Sequence, residues 1–195
     1  MPLKPLAEYE LMAAQAHGHL CAGQILGLRM ALHGVNLLGL NDPAGKDRKR
    51  LVSFVEIDRC MTDAIGVVTG CRLGKRALKF RDFGKAAATF CDLQENRAVR
   101  LAARESAKER ARSLYPEITD KNRQQMHAYR EMPDEELFVV EWVRVTIGAE
   151  DLPGYKAPRV VCAQCGEGIN FRREVERDGR PLCRACAGER YYTPL

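Results

Sequence analysis

At 195 residues, 46% apolar and 29% charged, the chain has room for one hydrophobic core plus a small stapled module, within an ordinary globular composition. No run of about 18 apolar residues occurs, which argues against a membrane-spanning helix, and the start Met1-Pro-Leu-Lys-Pro, leading into Glu8, Tyr9 and Glu10, lacks the apolar block of a signal peptide. The net charge of +5 opens a nucleic-acid reading, while eight cysteines without an export signal fit a reducing compartment, so the cytoplasm is the expected address.

Taken in chain order, residues 6–16 (LAEYELMAAQA) predict a helix with Leu6, Tyr9, Leu11 and Met12 on its apolar side. His17-Gly-His-Leu-Cys-Ala-Gly23 interrupts it, and a second helix follows over 22–38 with Ile25, Leu28, Leu32 and Val35 on one face. Gly23, Gly27 and Ala31 recur every fourth residue, so one flank of this helix can approach another backbone closely. Asn41-Asp-Pro-Ala-Gly45 is a turn cluster and Lys46–Arg50 a solvated basic run. Leu51–Ile57 alternates as a strand, and Cys60–Thr69 suits a short helix closed by Gly70. Strands are expected at Ala77–Phe83, Lys85–Leu93 and Arg97–Ala103. Residues 104–131 are helical but highly charged, with Pro116 as a break, and Phe138–Ile147 is a further strand. Gly148–Pro158 has the Pro/Gly composition of a linker. The expected organisation is a core domain over 1–150, a linker over 151–158 and a C-terminal module over 159–195. Helices followed by strands with helices interspersed predict an α+β core of N-terminal helices packed on a mainly antiparallel sheet.

The C-terminal module carries Cys162, Cys165, Cys183 and Cys186, spaced as two Cys-x-x-Cys pairs separated by seventeen residues. Each pair can point two thiolates at one ion, and the intervening segment is long enough to return the chain as a hairpin. Four soft ligands give zinc a closed tetrahedron, so this ion holds structure and leaves no position for chemistry. It also lowers the charge. From Tyr155 to Leu195 eight Lys/Arg face five Asp/Glu, a net +3 that four thiolates and one dication reduce to about +1.

The remaining cysteines, Cys21, Cys60, Cys71 and Cys91, lie in the larger domain with all four histidines. His17, His19 and Cys21 alternate, and in an extended loop alternate side chains share one face, so the three can aim at a single metal ion. The competing reading makes the histidines caps or core residues and Cys21 a packed thiol. Cys21 also sits at a predicted helix start, where unpaired N–H groups favour a thiolate. Cys60 and Cys71 flank Met61–Gly70 and both suit small core positions, as does Cys91 in its strand. His33 and His127 are isolated. Asp63 lies near the candidate thiols, Asp82 precedes Phe83-Gly84-Lys85 in a hairpin turn, and Lys75 and Lys85 follow glycines where they can meet an anion. Gly70-Cys-Arg-Leu-Gly-Lys75 lacks the spacing of a phosphate-binding loop, and no Gly-x-Gly-x-x-Gly, His-Glu-x-x-His or Gly-x-Ser-x-Gly occurs, which argues against ordinary nucleotide, zinc-protease and serine-hydrolase chemistry.

His17-Gly-His-Leu-Cys21 with Gly23, Gly27 and Arg29, then Cys60-Met-Thr-Asp-Ala-Ile65, Thr69-Gly-Cys-Arg-Leu-Gly-Lys75 and Asp82-Phe-Gly-Lys-Ala86 together resemble the FmdE family of formylmethanofuran dehydrogenase components over about residues 10–147. The Cys162–Cys186 segment is similar to the treble-clef zinc finger of DksA/TraR proteins. The resemblance implies an intertwined homodimer with a His/Cys-lined cleft, and a core metal held at positions matching His17, His19, Cys21 and Cys60, with Cys71 as a further candidate position; Asp63, Asp82 and Lys85 are candidate cleft residues beside it. That second metal ion is expected to be zinc. The family name implies service to a molybdenum or tungsten enzyme of one-carbon metabolism, whose redox chemistry belongs to its other subunits. One departure is visible: Ala22 stands where a Pro often follows the motif Cys. Two other readings remain open on the sequence alone. One is a regulator binding nucleic acid or RNA polymerase through Arg172, Arg173, Arg177, Arg180 and Arg184. The other is a thiol sensor using Cys21 with Cys60 or Cys71 as resolving partner.

Overall fold

The computed structural model describes residues 2–194 and divides into two compact units, one ending at Val145 and one beginning at Thr146. In the first unit, α1 (Leu6–His17) and α2 (Ala22–Leu37) precede β1 (Leu51–Val55) and α3 (Cys60–Thr69). The strands β2 (Leu78–Phe80), β3 (Ala87–Asp92) and β4 (Arg97–Ala103) follow, then α4 (Ser106–Leu114), α5 (Lys121–Glu131), the single turn α6 (Asp134–Leu137) and β5 (Phe138–Val143). The five strands form one sheet in the order β2-β1-β3-β4-β5, parallel only between β1 and β2. This is the expected α+β architecture of helices on a mainly antiparallel sheet.

The core lies between one sheet face and the helices. Leu51, Val55, Ala88, Phe90, Val99 and Leu101 supply the sheet side, and Ile25, Leu28, Ala31, Val35, Met61, Ala64, Ile65 and Val68 the helical side. α2 crosses β3 and β4, while α3 lies over β1. The small-residue flank of α2 has its counterpart here: a Cβ on Gly27 would meet the Met61 carbonyl oxygen at 2.4 Å and its Cα at 2.8 Å, and one on Gly34 would strike the Phe90 ring. The helices therefore touch backbone to backbone. Gly70 ends α3 in the left-handed region (φ 67°), where a side chain would be strained.

Differences from the expected elements are local. β1 is predicted to alternate, yet Leu51, Val52, Ser53 and Val55 are all buried, so side chains on both of its faces are covered. The helical stretch 104–131 resolves into α4 and α5, separated by a turn that Gln124 ties down by donating from Nε2 to the Tyr115 and Ile118 carbonyls (2.9 and 3.0 Å). The expected strand to Ile147 stops at Val143, and β5 is an edge strand whose Val139, Val140 and Trp142 remain exposed.

The second unit consists of two short hairpins, β6–β7 (Val160–Val161, Gly168–Ile169) and β8–β9 (Val175–Arg177, Arg180–Leu182), followed by a helical turn at Ala185–Glu189. Knuckle, hairpin and helical turn in this order form the treble-clef arrangement.

Candidate metal centres

The finger cysteines converge. Cys162 and Cys165 sit in the turn of β6–β7, Cys183 just after β9 and Cys186 in the terminal helical turn. Their four Sγ atoms lie within 4.8 Å of one another, with Cys165 and Cys183 at 3.9 Å. A tetrahedron with Zn–S bonds of about 2.3 Å requires S···S separations of about 3.8 Å, so the donor set fits a structural zinc. The backbone prepares the thiolates. The Cys183 N–H donates to Cys162 Sγ (3.2 Å) and the Cys186 N–H to Cys183 Sγ (3.4 Å). Backbone N–H groups of Cys165 and Cys183 hold the Cys162 thiol at a pKa of about 6, whereas hydrogen bonding to Cys183 pushes Cys186 up to about 12.

The finger arginines are largely occupied within their own unit. Arg173 pairs with Asp151, Arg177 Nη2 donates to the Ala187 carbonyl (2.6 Å), Arg180 Nη2 to the Ala163 carbonyl (3.1 Å), and Arg184 lies 3.7 Å from Glu189. These contacts cap the knuckle and the helical turn.

In the first unit the ends of three helices meet. His17 closes α1, Gly18 turns the chain in the left-handed conformation, Cys21 is the N-cap of α2, and Cys60 opens α3. His17 and His19 stand with ring centroids 5.0 Å apart. His17 Nδ1 is 2.9 Å from Asp63 Oδ2, a pairing across 46 positions of sequence. The Cys60 thiol neighbours that of Cys21, and burial together with this neighbour raises the Cys60 pKa. Gly23 lies against the pair: a Cβ there would make ordinary contacts with Cys60 Cβ at 3.5 Å and Cys21 Sγ at 3.8 Å. The Cys21 backbone is fixed by its N–H donating to Gln24 Oε1 (3.1 Å), while Gln24 Nε2 donates to the Ala13 carbonyl of α1 (3.1 Å). At Ala22, the position where Pro is common in the family motif, the N–H donates to Asn122 Oδ1 (2.8 Å), a bond that Pro would forbid.

Among the described residues, only the finger cysteines bring three or more metal-ligating atoms within 4.8 Å of one another. His17, His19, Cys21 and Cys60 share one helix junction but are not gathered into such a cluster. Cys71 takes a different place, buried against β1 with Sγ 3.5 Å from Ser53 Oγ and 3.8 Å from the Leu51 carbonyl; burial raises its pKa. Cys91 is a buried strand residue with its thiol pushed up to about 12 by burial. Asp82 and Lys85 lie on the exposed β2–β3 loop, whose Phe83 and Lys85 N–H groups donate to the Glu56 carbonyl (3.2 and 3.1 Å). His33 pairs with Asp134 (2.9 Å), and His127 packs on Tyr115. Beside the junction is a cavity of about 360 Å³ whose wall includes Thr62, Asp63, Gly66, Cys71, Arg72 and Leu78. Arg72 was visible only as part of the Gly70–Lys75 motif, since its role depends on where the turn after α3 points it.

Comparison with known proteins places this geometry in context. Residues 16–139 match the family described as FmdE, molybdenum formylmethanofuran dehydrogenase operon, and residues 156–192 match the prokaryotic DksA/TraR C4-type zinc finger. A crystallised tungsten formylmethanofuran dehydrogenase FmdE-like protein from Syntrophus aciditrophicus shares the fold at a TM-score of 0.66 and 20% identity, covering 96% of this chain and 95% of that one. A probable S-adenosyl-L-methionine-binding protein from Archaeoglobus fulgidus is 31% identical over 97% of this chain, and the chain spans about half (55%) of that relative's length. With the family match extending over most of the first unit and the four-cysteine finger following it, the chain belongs to the FmdE family and carries a C-terminal DksA/TraR-type zinc finger.

Proposed function

We propose that this protein is a cytoplasmic metal-binding subunit or accessory of a molybdenum or tungsten formylmethanofuran dehydrogenase-type redox system in one-carbon metabolism. In this reading a second metal ion, zinc, is held in the core by His17, His19, Cys21 and Cys60. The observation that carries the core site is the His17–Asp63 pair beside the Cys21–Cys60 thiols. A histidine whose Nδ1 donates to a carboxylate keeps Nε2 as its lone-pair donor, the arrangement by which outer carboxylates orient metal-binding imidazoles. Two neighbouring cysteines can give an ion soft anionic ligands when it displaces their protons. A bound ion would supply Lewis acidity; Asp63 would hold the His17 ring, and the Gln24 bonds would hold the Cys21 backbone. The homodimer is supported by β5, an edge strand with Val139, Val140 and Trp142 exposed, which suits pairing with a second copy. A nucleic-acid regulator is the weaker alternative because four of the five finger arginines are engaged internally.

The test is metal content by elemental mass spectrometry on the full chain beside a His17→Ala/His19→Ala/Cys21→Ala variant. Two ions per chain in the native protein and one in a folded variant are expected; one ion in both would sink the core site. Sedimentation of the native sample checks the dimer, which a monomeric mass at micromolar concentration removes.

A further inference from the structure

We propose that the cavity along α3 binds a small organic acid with a single carboxylate, anchored by Arg72. The cavity follows the helix from Thr62 and Asp63 at one end, past Gly66 and Val67, to the turn that carries Arg72. The rise of α3 between Asp63 and its C-cap Gly70 is about 10 Å, enough to separate an acidic end from a basic one. Between them the wall is apolar, with Ala16, Val67, Leu73 and Leu78 and no ionised group. Gly66 lines it at mid-length. Cys71 adds a neutral surface, since its buried thiol is held protonated.

The two ends differ in their freedom to meet a ligand. Asp63 is already committed to His17, so it repels a second anion and leaves the junction end to the ligand's uncharged part. Arg72 has no side-chain hydrogen-bond or ion-pair partner among the described residues, whereas its backbone is fixed, its carbonyl accepting from the Lys75 and Leu78 N–H groups (3.2 and 3.3 Å). A planar guanidinium on a fixed turn at the mouth of an apolar slot matches the two oxygens of a carboxylate. One arginine and no other cation in the lining favour a monoanion. The ligand's far end would lie toward Asp63 and His17; that orientation rests on the core-metal reading, whereas the anchoring by Arg72 does not.

The experiment uses hexanoate and its uncharged isostere hexanamide as probes, titrated into the isotope-labelled full chain and followed by NMR. Hexanoate is expected to shift the Gly66 and Leu73 amides and the Arg72 Nε–H, binding about tenfold more tightly than hexanamide because its contact to arginine is charge-assisted. Arg72→Gln should bring the two probes to the same affinity while leaving metal content unchanged. Equal binding of both probes to the native chain, or hexanoate binding untouched by Arg72→Gln, would overturn the site. A core that binds hexanoate without holding metal would keep this proposal and remove the metal reading. A metal-loaded core that ignores hexanoate would do the reverse.

Discussion

Gly27 sets how closely α2 and α3 approach. Its missing side chain places the two backbones in contact, since a Cβ would lie 2.4 Å from the Met61 carbonyl oxygen. Gly23, one turn earlier in the same stripe, has only ordinary contacts at 3.5 Å and beyond. The two glycines therefore respond oppositely to alanine. At Gly27 overpacking costs about 1–3 kcal/mol against at most about 1 kcal/mol of gained helix propensity, so Gly27→Ala should lower the melting temperature by several degrees. Gly23→Ala should leave it unchanged or slightly raised. Thermal denaturation of both variants checks this, and equal effects would show that the stripe does not govern the packing. Ala22 illustrates compensation at the same scale: where Pro would set the start of the helix by its ring, this chain uses a hydrogen bond from the Ala22 N–H to Asn122 on α5.

At the level of elements, α5 depends on α2 for its C-terminal end. Arg29 donates from Nη1 to the Tyr129 and Arg130 carbonyls (2.7 and 3.0 Å), and from Nη2 to the Met132 carbonyl and Asp134 Oδ1 (2.8 and 2.7 Å). The last carbonyls of α5, which no helical N–H can reach, thus meet a fixed fork of donors. Arg29 of the family motif is accordingly a structural clamp. Burial of Asp134 opposes its charge, but His33 and Arg29 outweigh burial and lower its pKa. A carboxyl depressed in the folded state contributes stability that is complete above its unfolded pKa, about 3.9, and is lost as pH falls through the folded value. Asp134→Asn should therefore melt below the native chain at pH 6, and the gap should close as pH falls from about 5 toward 3. A gap independent of pH would show that packing, not charge, makes the contact.

The whole molecule joins two units stabilised by different means. Every member of the hydrophobic cluster comes from the first unit, between Leu3 and Phe138, whereas the second unit consists of two short hairpins and a helical turn. A module with so little apolar burial is expected to fold on its metal, zinc binding then supplying its folding free energy. Chelation at neutral pH should collapse the amide resonances of residues 160–189 toward unfolded positions and leave those of β1, β3 and β4 in place. Loss of the sheet resonances as well would show that the first unit requires the finger's metal. No helix among the described residues is long and apolar enough to cross a membrane.

Much of the α+β core was legible because its signals are local. Apolar periodicity marks α2 and α3, Gly70 marks the stop of α3, Pro116 separates α4 from α5, and the paired Cys-x-x-Cys spacing describes a closed site whose four ligands come from two tight turns. The core junction was legible only as a set of residue types. That His17 pairs with Asp63 rather than with a thiol, that Cys60 adjoins Cys21 while Cys71 turns inward against Ser53, and that Arg72 faces a cavity all depend on how α1, α2 and α3 lie against one another. Short-range preference determined the elements and the finger's donor set. Only backbone contact at Gly27 and the burial of one sheet face decided which distant side chains meet, because no local term in the chain distinguishes one helix crossing from another.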